Sequence, residues 1–374
     1  MNDKLFTHPI PEPEPMGCYN PKDVVFLLKN LNGLLTETDL QTREQKIQSG
    51  GHYSEMLPIE YEPTKDYLDL FYQTLHESAT KVAMAVGIVS ERILQNNGPK
   101  IVLASLARAG TPIGILIKRY LLEKKGLDLP HYSISIIRGR GIDENAILYI
   151  LQNHKGAKIQ FVDGWTGKGA ITEVLRQACV DFKAKYQFEL DSDLAVLADP
   201  GHCVKTFGTR EDFLIPSACL NSTVSGLVSR TVFRTDLIGD KEFHGARFYE
   251  ELLKGEVSNL FVDTISKEFK ELKLQDVKSQ TIDDNAEVEV SWQGLKSLTT
   301  IKEKYGIKDI NFIKPGIGET TRVLLRRLPD RVLVDSIENT KLKHIMLLCK
   351  DKGVPVEEYP YLTYSCCGIV KQIS

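Results

Sequence analysis

Lys158-Ile159-Gln160-Phe161-Val162-Asp163-Gly164-Trp165-Thr166-Gly167-Lys168-Gly169-Ala170-Ile171-Thr172 carries the strongest fold signal in this chain. An apolar strand, Ile159 to Val162, runs into one carboxylate, Asp163. A glycine-rich turn follows, then a helix predicted over Ala170 to Cys179. Gly164, Gly167 and Gly169 allow a tight turn that gathers several N–H groups on one point. The positive end of the helix faces the same point. Strand, acid, glycine turn and helix together read as a phosphate cradle, with an acid placed to hold the hydroxyls of a sugar. An ordinary strand-to-helix turn is the plain alternative.

Two commoner phosphate loops do not fit. The Walker loop needs four residues between its first glycine and the Gly-Lys pair. Here only Trp165 and Thr166 separate Gly164 from Gly167-Lys168, and Gly169 follows where Ser or Thr is required. The dinucleotide pattern G-x-G-x-x-G has no match in this turn.

Outward from this stretch, strands and helices alternate. Ile101 to Ala104, Tyr132 to Ile137 and Leu194 to Ala198 read as strands. Ile113 to Lys124 and Glu144 to His154 read as helices between them. Upstream, Tyr67, Leu70, Phe71, Leu75, Val82, Val86, Ile88 and Ile93 keep helical spacing over residues 64 to 96, ended by Gly98-Pro99. The alternation predicts an α/β fold with a doubly wound parallel sheet, whose ligands sit beyond the carboxyl ends of the strands. That rule gathers Arg108, Arg138, Arg140, Asp163, Lys168 and Asp199 at one rim. Ala107-Arg108-Ala109-Gly110-Thr111 follows a strand and opens a helix, so its N–H groups suit an anion. Arg138-Gly139-Arg140-Gly141 places two guanidiniums where they reach a phosphate unobstructed. A solvated loop charge is the competing reading for each arginine.

The bulk numbers narrow the class. The chain has 374 residues, which predicts two or three domains. Hydrophobic residues make up 42% and charged residues 26%, the balance of a soluble globular protein. A net charge of −3 excludes a general polyanion binder, so any nucleic-acid surface must be local. Arg108 and Lys118 interrupt the longest apolar candidate, Ile101 to Leu121, so no membrane association is expected. Met1 to Met16 is polar and proline-rich, without a signal-peptide core. Seven cysteines, an odd number with no C-x-x-C pair, fit a reduced cytoplasmic compartment.

Three further segments have functional content. Thr42 to Met56, with Arg43, Lys46, His52, Tyr53 and Glu55, is a candidate lid, although such stretches are more often plain surface. Asp212 to Val232 is rich in hydroxyls; Ser222, Thr223, Ser225 and Ser229 either pack a core or line an acceptor pocket. Cys219 raises a thiol-nucleophile reading that needs a distant imidazole, His52 or His131. His202 is a poor base for Cys203 if both lie on a strand, because neighbours there point to opposite faces. Gly239 to Leu274 reads as helical and Gln275 to Glu289 as a polar linker.

From Trp292 a smaller α/β/α unit begins. Strands are predicted at Ile310 to Ile313, Arg331 to Val334 and Val354 to Tyr359, with helices at Glu319 to Leu328 and Lys341 to Lys352. Lys314, Gly316, Gly318, Thr320, Arg322 and Arg326 form a basic turn and helix start of the kind that tracks a nucleic-acid backbone. A solvated basic helix face is the alternative.

These motifs resemble known families. Val162 to Ala170 resembles the phosphoribosyl-diphosphate loop of type I phosphoribosyltransferases, with Asp163 matching one acid and Gly164 standing where the second is expected. Ala107 to Thr111 resembles the pyrophosphate loop of the same enzymes. Lys314 to Arg322 looks like the glycine turn of Pelota/L7Ae-type RNA-binding domains. The arrangement is similar to a bacterial phosphoribosyltransferase-like family with a C-terminal Pelota-type domain. That family is tied to tellurite-resistance and stress gene clusters, and some of its members are labelled cysteine protease StiP.

The expected organisation is a flexible lead (1–20), a phosphoribosyltransferase-like domain (21–274), a linker (275–291) and a Pelota-like domain (292–374). The resemblance implies a transferase acting on Mg²⁺-phosphoribosyl diphosphate or a related ribose phosphate or nucleotide. Asp163, Arg138 and Arg140 would then be catalytic. Arg108, Ala109, Gly110 and Thr111 would hold the diphosphate, and Thr166, Gly167, Lys168, Gly169 and Ala170 the 5′-phosphate. The Mg²⁺ would be held mainly by ligand oxygens, with no dedicated set of protein metal ligands. Lys314 to Arg326 would bind RNA. Two other classes stand beside this one: a non-catalytic nucleotide- and RNA-binding regulator, and a cysteine protease. The acceptor, the RNA target and the oligomeric state, a homodimer included, stay open.

Overall fold

A computed structural model describes residues 10–39, 42, 45–46, 50–60, 62–282 and 290–372. The side chains of Ile282 and Arg326, residue Arg43 of the candidate lid, and residues 283–289 of the expected linker fall outside this description.

The central sheet has six strands: β1 (Val25–Phe26), β2 (Ile101–Leu106), β3 (His131–Ile134), β4 (Lys158–Trp165), β5 (Leu194–Ala198) and β6 (Phe207–Thr209). Their order is β1-β3-β2-β4-β5-β6, and every pairing is parallel. All residues of β2 and β5 are buried, as expected of strands covered on both faces. Helices α1 (Lys65–Asn97), α2 (Gly110–Lys125) and α5 (Ser258–Glu268) pack on one face; α3 (Glu144–Asn153) and α4 (Ala170–Tyr186) pack on the other. α1 spans 33 residues, roughly 50 Å at 1.5 Å per residue, and Gly98 ends it at φ 71°. Asp143 caps α3 by accepting from the Ala146 amide at 3.1 Å.

The strand order reverses between β2 and β4. The turns after these two strands therefore flank the crevice where a sheet of this kind receives ligands. Gly110 lets them close up: a Cβ there would run into the Val162 carbonyl.

A smaller C-terminal unit begins with α7 (Gln293–Lys304), after a short helix α6 (Leu274–Ile282). Its sheet contains β7 (Ile313–Pro315), β8 (Pro329–Val334), β9 (Val356–Glu358) and β10 (Cys366–Val370), in the order β7-β10-β8-β9. Helices α8 (Gly316–Arg326) and α9 (Lys343–Lys352) lie on one face. One side of this unit has its own core, including Leu298, Ile301, Leu333 and Ile369. The other side, with Ile317, Leu324, Val334 and Ile345, is continuous with the core of the larger unit. Each fully buried aliphatic side chain there contributes about 1.5–3 kcal/mol, so the units dock through an apolar face.

Several sequence expectations change. Residues 239–257 hold no α-helix, only a two-residue strand (Gly245–Ala246, paired with Lys29–Asn30) and a 3-10 stretch (Glu250–Gly255), and α5 starts only at Ser258. The start of the expected linker is helix α6. β10, central in the small sheet, has no counterpart among the predicted strands. The coarse architecture matches: a mixed α/β protein with a parallel central sheet and a smaller C-terminal unit.

Candidate functional site at the seam

The glycine turn is held from both sides. Thr166 donates its amide to the Ala198 carbonyl at 3.0 Å and its hydroxyl to Asp199 at 2.5 Å. Asp199, fully buried, also accepts the amides of Cys203 (2.8 Å) and Val204 (3.4 Å). It is thus the hub that ties the turn after β4 to the turn after β5. The C-terminal unit covers the other side. Tyr364 donates its hydroxyl to the Gly167 carbonyl at 3.1 Å, and Lys168 donates to the Ile310 carbonyl at 3.0 Å and to Asn311 at 2.8 Å. Gly169 sits at φ 80°, and a Cβ there would collide with the Trp292 ring. The turn read as a phosphate cradle is thereby roofed by protein.

Asp163 lies at the end of β4, partly buried, and accepts from the Gly164 amide at 2.7 Å. Burial pushes its carboxyl up to about 7, while that hydrogen bond and the Arg322 guanidinium pull the other way. Arg322 lies 4.8 Å from the centre of the Trp165 ring, and donates to the Ala218 carbonyl at 3.2 Å and to Glu319 at 3.0 Å.

Arg108 turns inward, contacting Glu60 at 3.3 Å, the Val228 carbonyl at 3.1 Å and Asn221 at 3.4 Å. Thr111 is fully buried against Ser133 at 2.7 Å. Ala109 and Gly110 pack against the end of β4. Arg138 is exposed, its amide donating to the Tyr53 hydroxyl at 2.8 Å. Arg140 pairs with Glu55 at 2.5 Å and lines a cleft of about 500 Å³ with Lys46, Phe233 and Arg234. His52, Tyr53 and Glu55 of the candidate lid therefore do meet the Arg138–Arg140 turn.

The expected RNA-binding turn faces the larger unit. Gly316, at φ 84°, stands beside Asp212, whose carboxylate accepts the amides of Ile317 and Ser365, each at 2.9 Å. Gly318 packs on Ala218, and Thr320 is fully buried. Lys314 is partly buried.

All seven cysteines are free, and all but Cys18 are buried. Cys219 is fully buried in the main core. Neither distant imidazole is available to it in this arrangement: His131 is bonded at both nitrogens, to Ser105 (2.7 Å) and the Asp23 carbonyl (2.8 Å), and His52 is bonded to Ser54. Cys203 lies at the rim, its sulfur 3.7 Å from the Gly167 carbonyl. Burial pushes its thiol up to about 12, reinforced by Asp199. His202 sits on a turn at φ 54°, with its ring against Arg210. The strand argument against pairing it with Cys203 does not apply to this backbone.

Sequence reasoning missed Asp212, Tyr364 and the two tryptophans. The tryptophans were findable: the chain has only Trp165 and Trp292, and both lie at the seam.

Fold and seam define a two-part α/β protein whose sheet crevice is closed by a C-terminal unit. Residues 17–266 match the family model described as tellurite-like stress resistance cysteine protease StiP, and residues 292–372 that of the PELOTA RNA binding domain. Cysteine protease StiP of Acinetobacter baylyi (strain ATCC 33305 / BD413 / ADP1) is 34% identical over 346 residues, covering 89% of this chain and 88% of that one. The chain belongs to the StiP family. This kinship corrects the expected function and enzyme class: the family and the relative are named as cysteine proteases, not phosphoribosyltransferases. Among the described residues, no helix is long and apolar enough to cross a membrane, and no three His, Cys, Asp or Glu side chains cluster to hold a metal ion.

Proposed function

We propose that this chain is a cysteine peptidase of the StiP kind, with Cys203 as its nucleophile. The observation that carries the class is the 34% identity over nearly the whole chain to a protein named cysteine protease StiP. Cys203 is favoured within that class by position. It lies on the turn beyond the carboxyl end of β5, next to His202 and bonded through its amide to Asp199. The thiolate is the attacking species, and a thiol held near 12 supplies almost none of it at neutral pH. Cys203 is fully buried, with Trp292 beside its sulfur and Tyr364 bonded to the Gly167 carbonyl, so on this reading both side chains shift before Cys203 meets a peptide bond.

The test is hydrolysis of unfolded casein by the full chain and by single Cys→Ala variants. Cys203→Ala removes the activity, and Cys219→Ala retains it. Full activity in Cys203→Ala overturns the assignment of the nucleophile; no activity in the intact chain under any condition that opens the seam overturns the class.

We also infer that residues 292–372 bind RNA, supported by the match to the PELOTA RNA binding domain. Fluorescence anisotropy of a labelled 20-nucleotide single-stranded RNA measures it directly; unchanged anisotropy overturns it.

A further inference from the structure

We propose that single-stranded RNA stacks a base on Tyr361, the exposed end of a row of three tyrosines on the C-terminal unit, with Lys304 beside the row to meet the RNA backbone. This rests on the RNA-binding reading of residues 292–372 and names the surface and the kind of RNA. The surface is not the glycine turn expected from the sequence.

That turn is already occupied by protein. Asp212 accepts the Ile317 amide at 2.9 Å, Gly318 packs on Ala218, and Thr320 is fully buried. With the two units docked, RNA needs another face of the C-terminal unit.

The tyrosines supply one. Tyr361 is 81% exposed. Its ring meets that of Tyr359 edge-on, with centroids 5.9 Å apart and planes at 79°. Tyr359 is buried in the unit's own core and meets Tyr305 at 6.5 Å and 63°. Lys304, the last residue of α7, is exposed. Its ammonium lies 4.5 Å from the centre of the Tyr359 ring and 5.3 Å from that of Tyr305. Arg331 also stands 5.5 Å from the Tyr305 ring, but Asp330 at 2.9 Å and Glu357 at 3.5 Å pair with it, so it is not counted as a phosphate contact. Glu357 is engaged by the Tyr305 hydroxyl as well.

The turn that displays Tyr361 is fixed at both ends. The Tyr359 amide donates to the Val334 carbonyl at 2.7 Å, and the Leu362 amide closes back on the Tyr359 carbonyl at 3.3 Å. Beyond it, the Tyr364 hydroxyl donates to the Gly167 carbonyl at 3.1 Å. Pro360 restricts the backbone between the first two rings. A single exposed ring is ordinary on a protein surface. A ring held in place on a buried ring, with a cation alongside, loses little freedom when a base stacks on it. Stacking accepts any base, and the neighbouring ammonium meets a phosphate, which is how single strands are held without sequence preference. A protein partner or a second copy of this chain would also cover an exposed tyrosine. RNA is favoured because the surface lies on the unit matching the PELOTA RNA binding domain.

The experiment is anisotropy of a fluorescein-labelled 20-nucleotide single-stranded RNA with the full chain, across a salt series. Tyr361→Ala is expected to weaken binding about fivefold or more and to leave the log–log salt slope unchanged. Tyr361→Phe keeps the ring and should bind as wild type. Lys304→Ala should weaken binding and lower the slope by about 0.7. Tyr72→Ala, which removes a half-exposed tyrosine from α1, is the control and should change nothing. Wild-type affinity in both Tyr361→Ala and Lys304→Ala, in a chain that binds RNA, overturns the platform and leaves the RNA-binding reading standing. Equal losses in Tyr361→Phe and Tyr361→Ala overturn stacking as the contact. Self-association in analytical ultracentrifugation that Tyr361→Ala abolishes, with RNA affinity unchanged, overturns the proposal in favour of a second copy of the chain. An intact chain that binds no RNA overturns the reading of residues 292–372, and this proposal with it.

Discussion

The carboxylate of Asp212 accepts a hydrogen bond from the amide of Ile317 at 2.9 Å, fastening the loop after β6 to the first turn of α8. The same side chain accepts from Ser365 at 2.9 Å, so one partly buried acid holds two segments of the C-terminal unit. Helix-start amides lack intrahelical acceptors and are stabilised by an anion at that end.

Asp212→Ala leaves two inward-facing N–H groups without their acceptor. The expected cost is about 2–4 kcal/mol, seen in calorimetry as a C-terminal transition that separates from, and precedes, the main one. A single transition at the wild-type temperature would show that the apolar face alone fixes the docking.

Stability should respond to pH through Asp163 in the reverse of the usual carboxylate sense. Its folded-state pKa, about 7, lies above the ordinary value of 3.8, so the folded chain binds the extra proton between these limits. The contribution is complete below about pH 4 and is lost as pH rises through about 7. Asp163→Asn mimics the protonated acid. It should unfold at a higher temperature than wild type at pH 8 and at nearly the same temperature at pH 4.5. Equal differences at both pH values would exclude the effect.

Cys203 should be slow to alkylate. Its thiol is buried and pushed up to about 12, with the Trp292 ring over the neighbouring glycine. Trp292→Ala opens that cover and should raise the rate of iodoacetamide labelling at Cys203 about tenfold or more, following thiolate access. Peptide mass mapping reads the site. An unchanged rate would place the barrier elsewhere than the C-terminal unit.

Arg322→Ala removes a stacked cation from Trp165 and the partner of Glu319. Both charged side chains keep some exposure, 28% and 30%, so the expected loss is modest, about 1–2 kcal/mol. Adding Glu319→Gln should restore part of it, because the carboxylate is then no longer unpaired. Chemical denaturation of the four members of this cycle measures the coupling.

The alternation of strands and helices, the long α1 and the place of the glycine turn beyond β4 are legible in the chain's local pattern. These follow from local periodicity and turn chemistry, which short windows of residues carry. The same pattern marked Asp163, Lys168, Arg138 and Lys314 as chemistry-bearing side chains. That Arg108 turns inward to Glu60, and that the Lys314–Arg322 turn faces the larger unit, emerges only once the chain is folded. Folding also places Trp292 and Tyr364 over the glycine turn and Cys203. The physical reason is reach. Asp212 and Ile317 are 105 positions apart, and Tyr364 and Gly167 are 197 apart. No local pattern encodes such pairs; they form because two apolar faces, each incomplete alone, bury one another and bring the polar groups at their edges into contact.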